Sequence, residues 1–91
     1  MPKRISSEEE IEVGDFYEDC RFHPRLCIQV SIPDGFPDDI KGISLIDGSV
    51  CACSIKQCGL RILTTTEAIR WKLEGPTYLP NLERMKNGWK Q

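Results

Sequence analysis

Five cysteines and a single histidine are the residues of this 91-residue chain with the widest chemical reach. They form two groups, Cys20-x2-His23-x3-Cys27 and Cys51-x-Cys53-x4-Cys58. Zinc takes four nitrogen or sulfur donors in a tetrahedron and commonly draws them from two loops, so both groups are candidate ligands. Neither group contains Cys-x2-Cys, Cys-x-Cys is an awkward chelate, and only Cys20 and His23 have knuckle-like spacing. The competing reading, preferred on the sequence, is that the thiols pack as small hydrophobes, because free cysteine is among the most buried residue types. A third reading makes one cysteine a nucleophile with His23 as its base. No local signature accompanies it, and His23 before Pro24 is equally a turn residue.

Other chemistry has less support. Asp34, Asp38 and Asp39 with Glu18 or Asp19 could attract a hard cation, but the spacing of a calcium loop is absent. The scattered glycines form no phosphate-binding pattern. Arg70, Lys72, Arg84, Lys86 and Lys90 with Trp71 and Trp89 could face nucleic acid, yet the overall pI is about 5.3. That acidity argues against nucleic acid, and the tryptophans serve better as core anchors.

The elements that would position these residues are mostly short and extended. Leu26, Ile28, Val30 and Ile32 alternate with Arg25, Cys27, Gln29 and Ser31, the period of a half-buried strand. An earlier strand is expected over 12–19, with Phe16 and Tyr17 pointing to opposite faces. The segment Arg21-Phe22-His23-Pro24 interrupts it, because Pro24 lacks a backbone donor. Asp47-Gly48 between two extended runs predicts a two-residue hairpin loop in which Ile46 faces Ser49 and Gly42 faces Cys53. One face would then hold Ile43, Leu45, Val50 and Ala52, and the other Gly42, Ser44, Ile46, Cys51 and Cys53. A short strand is expected over 60–63 after the Cys58-Gly59 turn. Thr64-Thr65-Thr66-Glu67 is a capping box that starts a helix over 65–74, closed by Gly75-Pro76. A second helix is expected from Pro80 to Gly88 with Leu79, Leu82, Met85 and Trp89 on one side.

These elements predict an α+β fold: a small β-rich domain with one or two C-terminal helices. The preferred form is an SH3-like barrel, and the alternative is a meander sheet of four or five strands. Residues 1–10 read as a polar, mobile leader, and 11–91 as a single domain. With 40% apolar and 29% charged residues the chain is globular in composition. Its charge is graded: Glu8, Glu9, Glu10, Glu12, Asp15, Glu18 and Asp19 outweigh Lys3 and Arg4 at one end. Lys56, Arg61, Arg70, Lys72, Arg84, Lys86 and Lys90 outweigh Glu67, Glu74 and Glu83 at the other. No apolar run is long enough to span a membrane. No apolar stretch follows Met1-Pro2-Lys3-Arg4-Ile5, and the cysteine count is odd. A cytoplasmic protein with reduced thiols is therefore expected.

Gly14-Asp15-Phe16-Tyr17-Glu18-Asp19-Cys20, then His23-Pro24 and Leu26-Cys27, resembles a small bacterial family of domains without an assigned role. Gly42 to Ser49, Cys58-Gly59 and Leu63-Thr64 extend the resemblance over about residues 13–75. It implies a bacterial origin and no particular activity.

With no catalytic signature or cofactor motif, the leading functional expectation is a non-enzymatic binding or adaptor module with a protein partner. Its candidate surface is Phe36 on the 33–39 loop together with Phe16 or Tyr17. The first alternative is a small zinc-binding domain using Cys20, His23, Cys27, Cys51, Cys53 or Cys58. The second is a thiol-based enzyme or redox sensor.

Overall fold

The computed structural model describes residues 3–32, 39–76 and Pro80. Six strands, β1 (Lys3–Arg4), β2 (Phe16–Glu18), β3 (Pro24–Gln29), β4 (Asp39–Ser44), β5 (Val50–Ser54) and β6 (Arg61–Leu63), form one sheet. Its order is β1-β6-β2-β3-β4-β5, and every neighbouring pair is antiparallel. The SH3-like barrel is therefore not the architecture: the sheet stays open, with β1 and β5 at its two edges. A barrel requires these edges to pair. Here the chain leaves β5 through the short helix α1 (Ile55–Cys58) and returns as β6 on the far side of β2.

Alternation along the paired strands sends side chains to two faces. Tyr17, Arg25, Cys27, Ile40, Gly42, Ser44, Cys51, Cys53 and Ile62 share one face by register. Ile5, Ile11, Ile55 and Leu60 close over it, forming a core with Tyr17, Cys27 and Ile40. The other face carries Phe16, Glu18, Leu26, Ile43, Arg61 and Leu63. On that side helix α2 (Thr65–Glu74) lays Ala68 and Trp71 against Leu63, with Phe16 and Leu45 alongside. The sheet is thus covered on both sides, and the thiol-bearing side holds the larger core. Thiols and the main aliphatic core are not segregated to opposite sides as the alternation alone suggested.

The capping box opens α2 as expected. The Thr64 hydroxyl accepts from Glu67 N at 3.1 Å, and the Glu67 carboxylate accepts from Thr64 N at 2.9 Å. Gly75, at φ 82°, ends the helix. The hairpin differs. Ile43 pairs with Val50 and Gly42 with Cys51, leaving four residues between Ser44 and Ser49, whose backbones are joined by a 2.8 Å bond. The slip is two residues, so every side chain keeps its expected face. The Asp47 carboxylate drives the longer turn by accepting from Ser49 N at 2.9 Å. Those bonds hold its carboxyl down at about 2.

Pro24 is more than a break after the first strand. It begins β3, opposite Glu18, where the missing donor is tolerated. The segment 3–10, expected as a leader, contributes β1, a 3-10 turn at Glu8–Glu10 and the buried Ile5. Helix α1 is too short to show periodicity in sequence; Ser54 caps it by accepting from Gln57 N, and Gly59 closes it at φ 67°. The expected Pro80–Gly88 helix lies outside the described residues.

Candidate functional site

Of the six candidate ligands, two stand side by side on β5, with Cys58 of α1 and Cys20 of the β2–β3 turn among their electrostatic neighbours. Cys51 and Cys53, two apart on β5, point the same way with their sulfurs 3.9 Å apart. Cys58, at the end of α1, acts on the Cys53 thiol and on that of Cys20 in the β2–β3 turn, raising both. Cys20 and Cys51 are exposed, Cys53 and Cys58 are half-buried, and all are free thiols. Burial, with the neighbouring sulfurs next, pushes the Cys53 thiol far above its ordinary value. Burial and Cys58 raise that of Cys20.

Cys27 and His23 stand apart from these thiols. Cys27 is fully buried in the core and turns its thiol to the Gln29 carbonyl at 3.8 Å. His23 is buried in the β2–β3 turn, where its backbone N–H donates to Asp19 Oδ1 at 2.9 Å. Among the described residues, no group of three or more His, Cys, Asp or Glu side chains is posed to hold a metal ion. Burial, as the largest cause, raises the Cys20, Cys27 and Cys53 thiols. An activated thiol needs the opposite shift.

Tyr17 lies beside the thiols. Its ring crosses β3 to sit over Gly42, the register partner of both Cys27 and Cys51. The side chain is fully buried, and its hydroxyl has no hydrogen-bond partner. Burial, then the charge of Cys53, pushes the phenol up. Tyr17 therefore cannot be an exposed anchor. Phe16 is half-buried beneath α2, and Phe36 lies outside the described residues.

Sequence reasoning missed a buried ionic network. Glu18 and Asp19 are adjacent, and alternation sends them to opposite faces. Glu18 accepts from Arg61 and, at 2.5 Å, from Trp71 Nε1. Asp19 accepts from Arg25 Nε at 2.6 Å and from the backbone N–H groups of Arg21 and His23. Arg25 continues to the carbonyls of Gly42 and Ser49, and Arg61 reaches the Asp19 carbonyl. Arg61 also stacks over Phe22 at 5.3 Å. Every charge in this set is matched, which is the arrangement of a structural lock. Only the register could have revealed the Glu18–Arg61 pair, because those residues lie 43 apart in sequence.

Two surface features remain. An open depression of about 380 Å³ is lined by Arg4, Ile5, Ser6 and Lys56. The outer edge of β5 meets no further strand among the described residues. No helix among them is long and apolar enough to cross a membrane. No family model, curated protein or solved structure matches the chain, so its role rests on these features alone.

Proposed function

We propose that this protein is a non-enzymatic binding module that takes an extended segment of a protein partner as an added strand on β5. The supporting observation is the chemistry of that edge. Val50-Cys51-Ala52-Cys53-Ser54 holds no charge and no proline, the usual devices that blunt an open edge. Val50 is 52% exposed, and Cys51 and Ala52 are also exposed. The Ser44–Ser49 backbone bond fixes which peptide groups face β4. By alternation Cys51 and Cys53 bond inward, while Val50 and Ala52 direct their N–H and C=O groups to the free edge. An added strand gains affinity from those groups and specificity from alternate side chains. Val50 and Ala52 favour small or aliphatic partners beside them.

Ala52→Pro isolates the edge, since it deletes an outward donor and leaves the β4 ladder intact. Extended peptides selected from a displayed library on the full chain are expected to bind the Ala52→Pro protein at least tenfold more weakly. They should also protect the Val50 and Ala52 amides from hydrogen exchange. Equal binding to both proteins, or a selection that enriches no peptide, would remove the edge from the function.

A further inference from the structure

We infer that the strand added to β5 is β5 of a second copy of this chain, giving an antiparallel dimer about a twofold axis at Ala52. The inference rests on the strand-addition reading and names its partner. The two edges of the sheet differ in how they meet a copy of themselves. β1 is two residues long and both, Lys3 and Arg4, are basic, so it repels its own copy. β5 is five residues long and uncharged, so two copies meet there without like charges opposed. A β1-to-β5 contact would be head-to-tail and keep adding copies, whereas β5 on β5 closes.

Pairing rules select the register. Val50 and Ala52 face the free edge with their peptide groups, alternating with the inward-bonded Cys51 and Cys53. Antiparallel strands exchange hydrogen bonds between such outward residues. Setting Ala52 opposite Ala52 of the second copy overlaps the whole of β5, with Val50 opposite Ser54 at either end. Those neighbours are small, so nothing holds the two backbones apart. Cys51 then falls opposite Cys53 of the second copy at a non-hydrogen-bonded pair, where Cβ atoms approach to about 4.5–5.5 Å. Charge agrees with the same arrangement. Exposed Asp47 lies in the turn before β5, and exposed Lys56 lies in the helix after it. Antiparallel pairing brings the acid of each copy to the base of the other, on both sides of the axis.

The test is sedimentation equilibrium of the reduced full chain from about 10 μM to about 1 mM, native and Ala52→Pro. The native mass is expected to rise toward twice 10.4 kDa, while Ala52→Pro, its sheet confirmed by circular dichroism, stays monomeric. Crosslinking reads the register. In a Cys20→Ser, Cys58→Ser background, Cys51→Ser and Cys53→Ser proteins are mixed and oxidised with diamide, which takes up both thiol hydrogens as the disulfide forms. The mixture should give about fivefold more disulfide dimer than either protein alone, because only there does Cys51 stand opposite Cys53. A native chain that stays monomeric while selected peptides still bind the edge overturns self-pairing and leaves strand addition standing. A monomer that also binds no peptide removes both. A dimer that persists in folded Ala52→Pro places association elsewhere, and equal crosslinking in all three samples refutes the register.

Discussion

Glu18 and Asp19 are consecutive acids buried beside one another, each answered by its own arginine across the sheet. Removing one member of a buried pair costs about 3–5 kcal/mol, because the other charge keeps its desolvation penalty. Glu18→Ala is therefore expected to lower unfolding free energy by about that amount in urea titration. Glu18→Gln, which keeps the volume and one acceptor for Trp71, should cost less. A loss below about 1 kcal/mol in Glu18→Ala would show that the network is slack. None of this was legible at positions 18 and 19, where two acids beside an exposed-looking turn read as surface. The thiols were partly legible. Alternation correctly grouped Cys51 with Cys53 and Cys27 on one face, but it could not separate Cys27, packed in the core, from Cys20 and Cys58, which arrive from other elements.

Strands were more readable than the contacts between them. Helix α2 was clear because its two ends carry side chains with specific hydrogen-bonding jobs, Thr64 with Glu67 at the start and Gly75 at the end. The β4–β5 connection is longer than its sequence suggests. Asp47-Gly48 is a strong local signal, yet the Asp47 carboxylate bonds Ser49 N and holds a four-residue turn. Helix α1 escaped because four residues have no period to detect. Gly42 supplies an element-scale prediction. A Cβ there would stand 2.8 Å from Tyr17 Cζ and closer still to its hydroxyl, so β4 can lie under the ring only with glycine. Gly42→Ala is expected to cost about 1–3 kcal/mol. Tyr17→Phe alone should be neutral or stabilising by up to about 1 kcal/mol, since it deletes an unpartnered buried hydroxyl. A double-mutant cycle should then show positive coupling, with Tyr17→Phe recovering part of the Gly42→Ala loss. Additive energies would mean that the ring and the glycine are independent.

At the scale of the molecule, composition and period point to a small β-rich domain with a helix, and that is what folds. Openness was not legible, because closure depends on whether the two edge strands meet, and no local pattern encodes it. The charge gradient has one concrete meeting point in the Glu18–Arg61 pair, which ties an acidic early strand to a basic late one. The strand order also dictates a history. Strands β2 to β5 pair in succession, as β4 does with β5 through Ile43 and Val50, whereas β1 waits for β6, with Lys3 opposite Ile62. Near pairings close cheaply and early; distant ones form after most of the loop entropy has been lost. In stopped-flow chevrons, destabilising changes in β3 and β4 should slow folding, and changes in β1 should mainly hasten unfolding. The reverse pattern would mean that the ends seed the sheet. A chain emerging residue by residue would then carry a four-stranded meander whose edge strand, β2, keeps a vacant flank until residues 61–63 arrive to fill it.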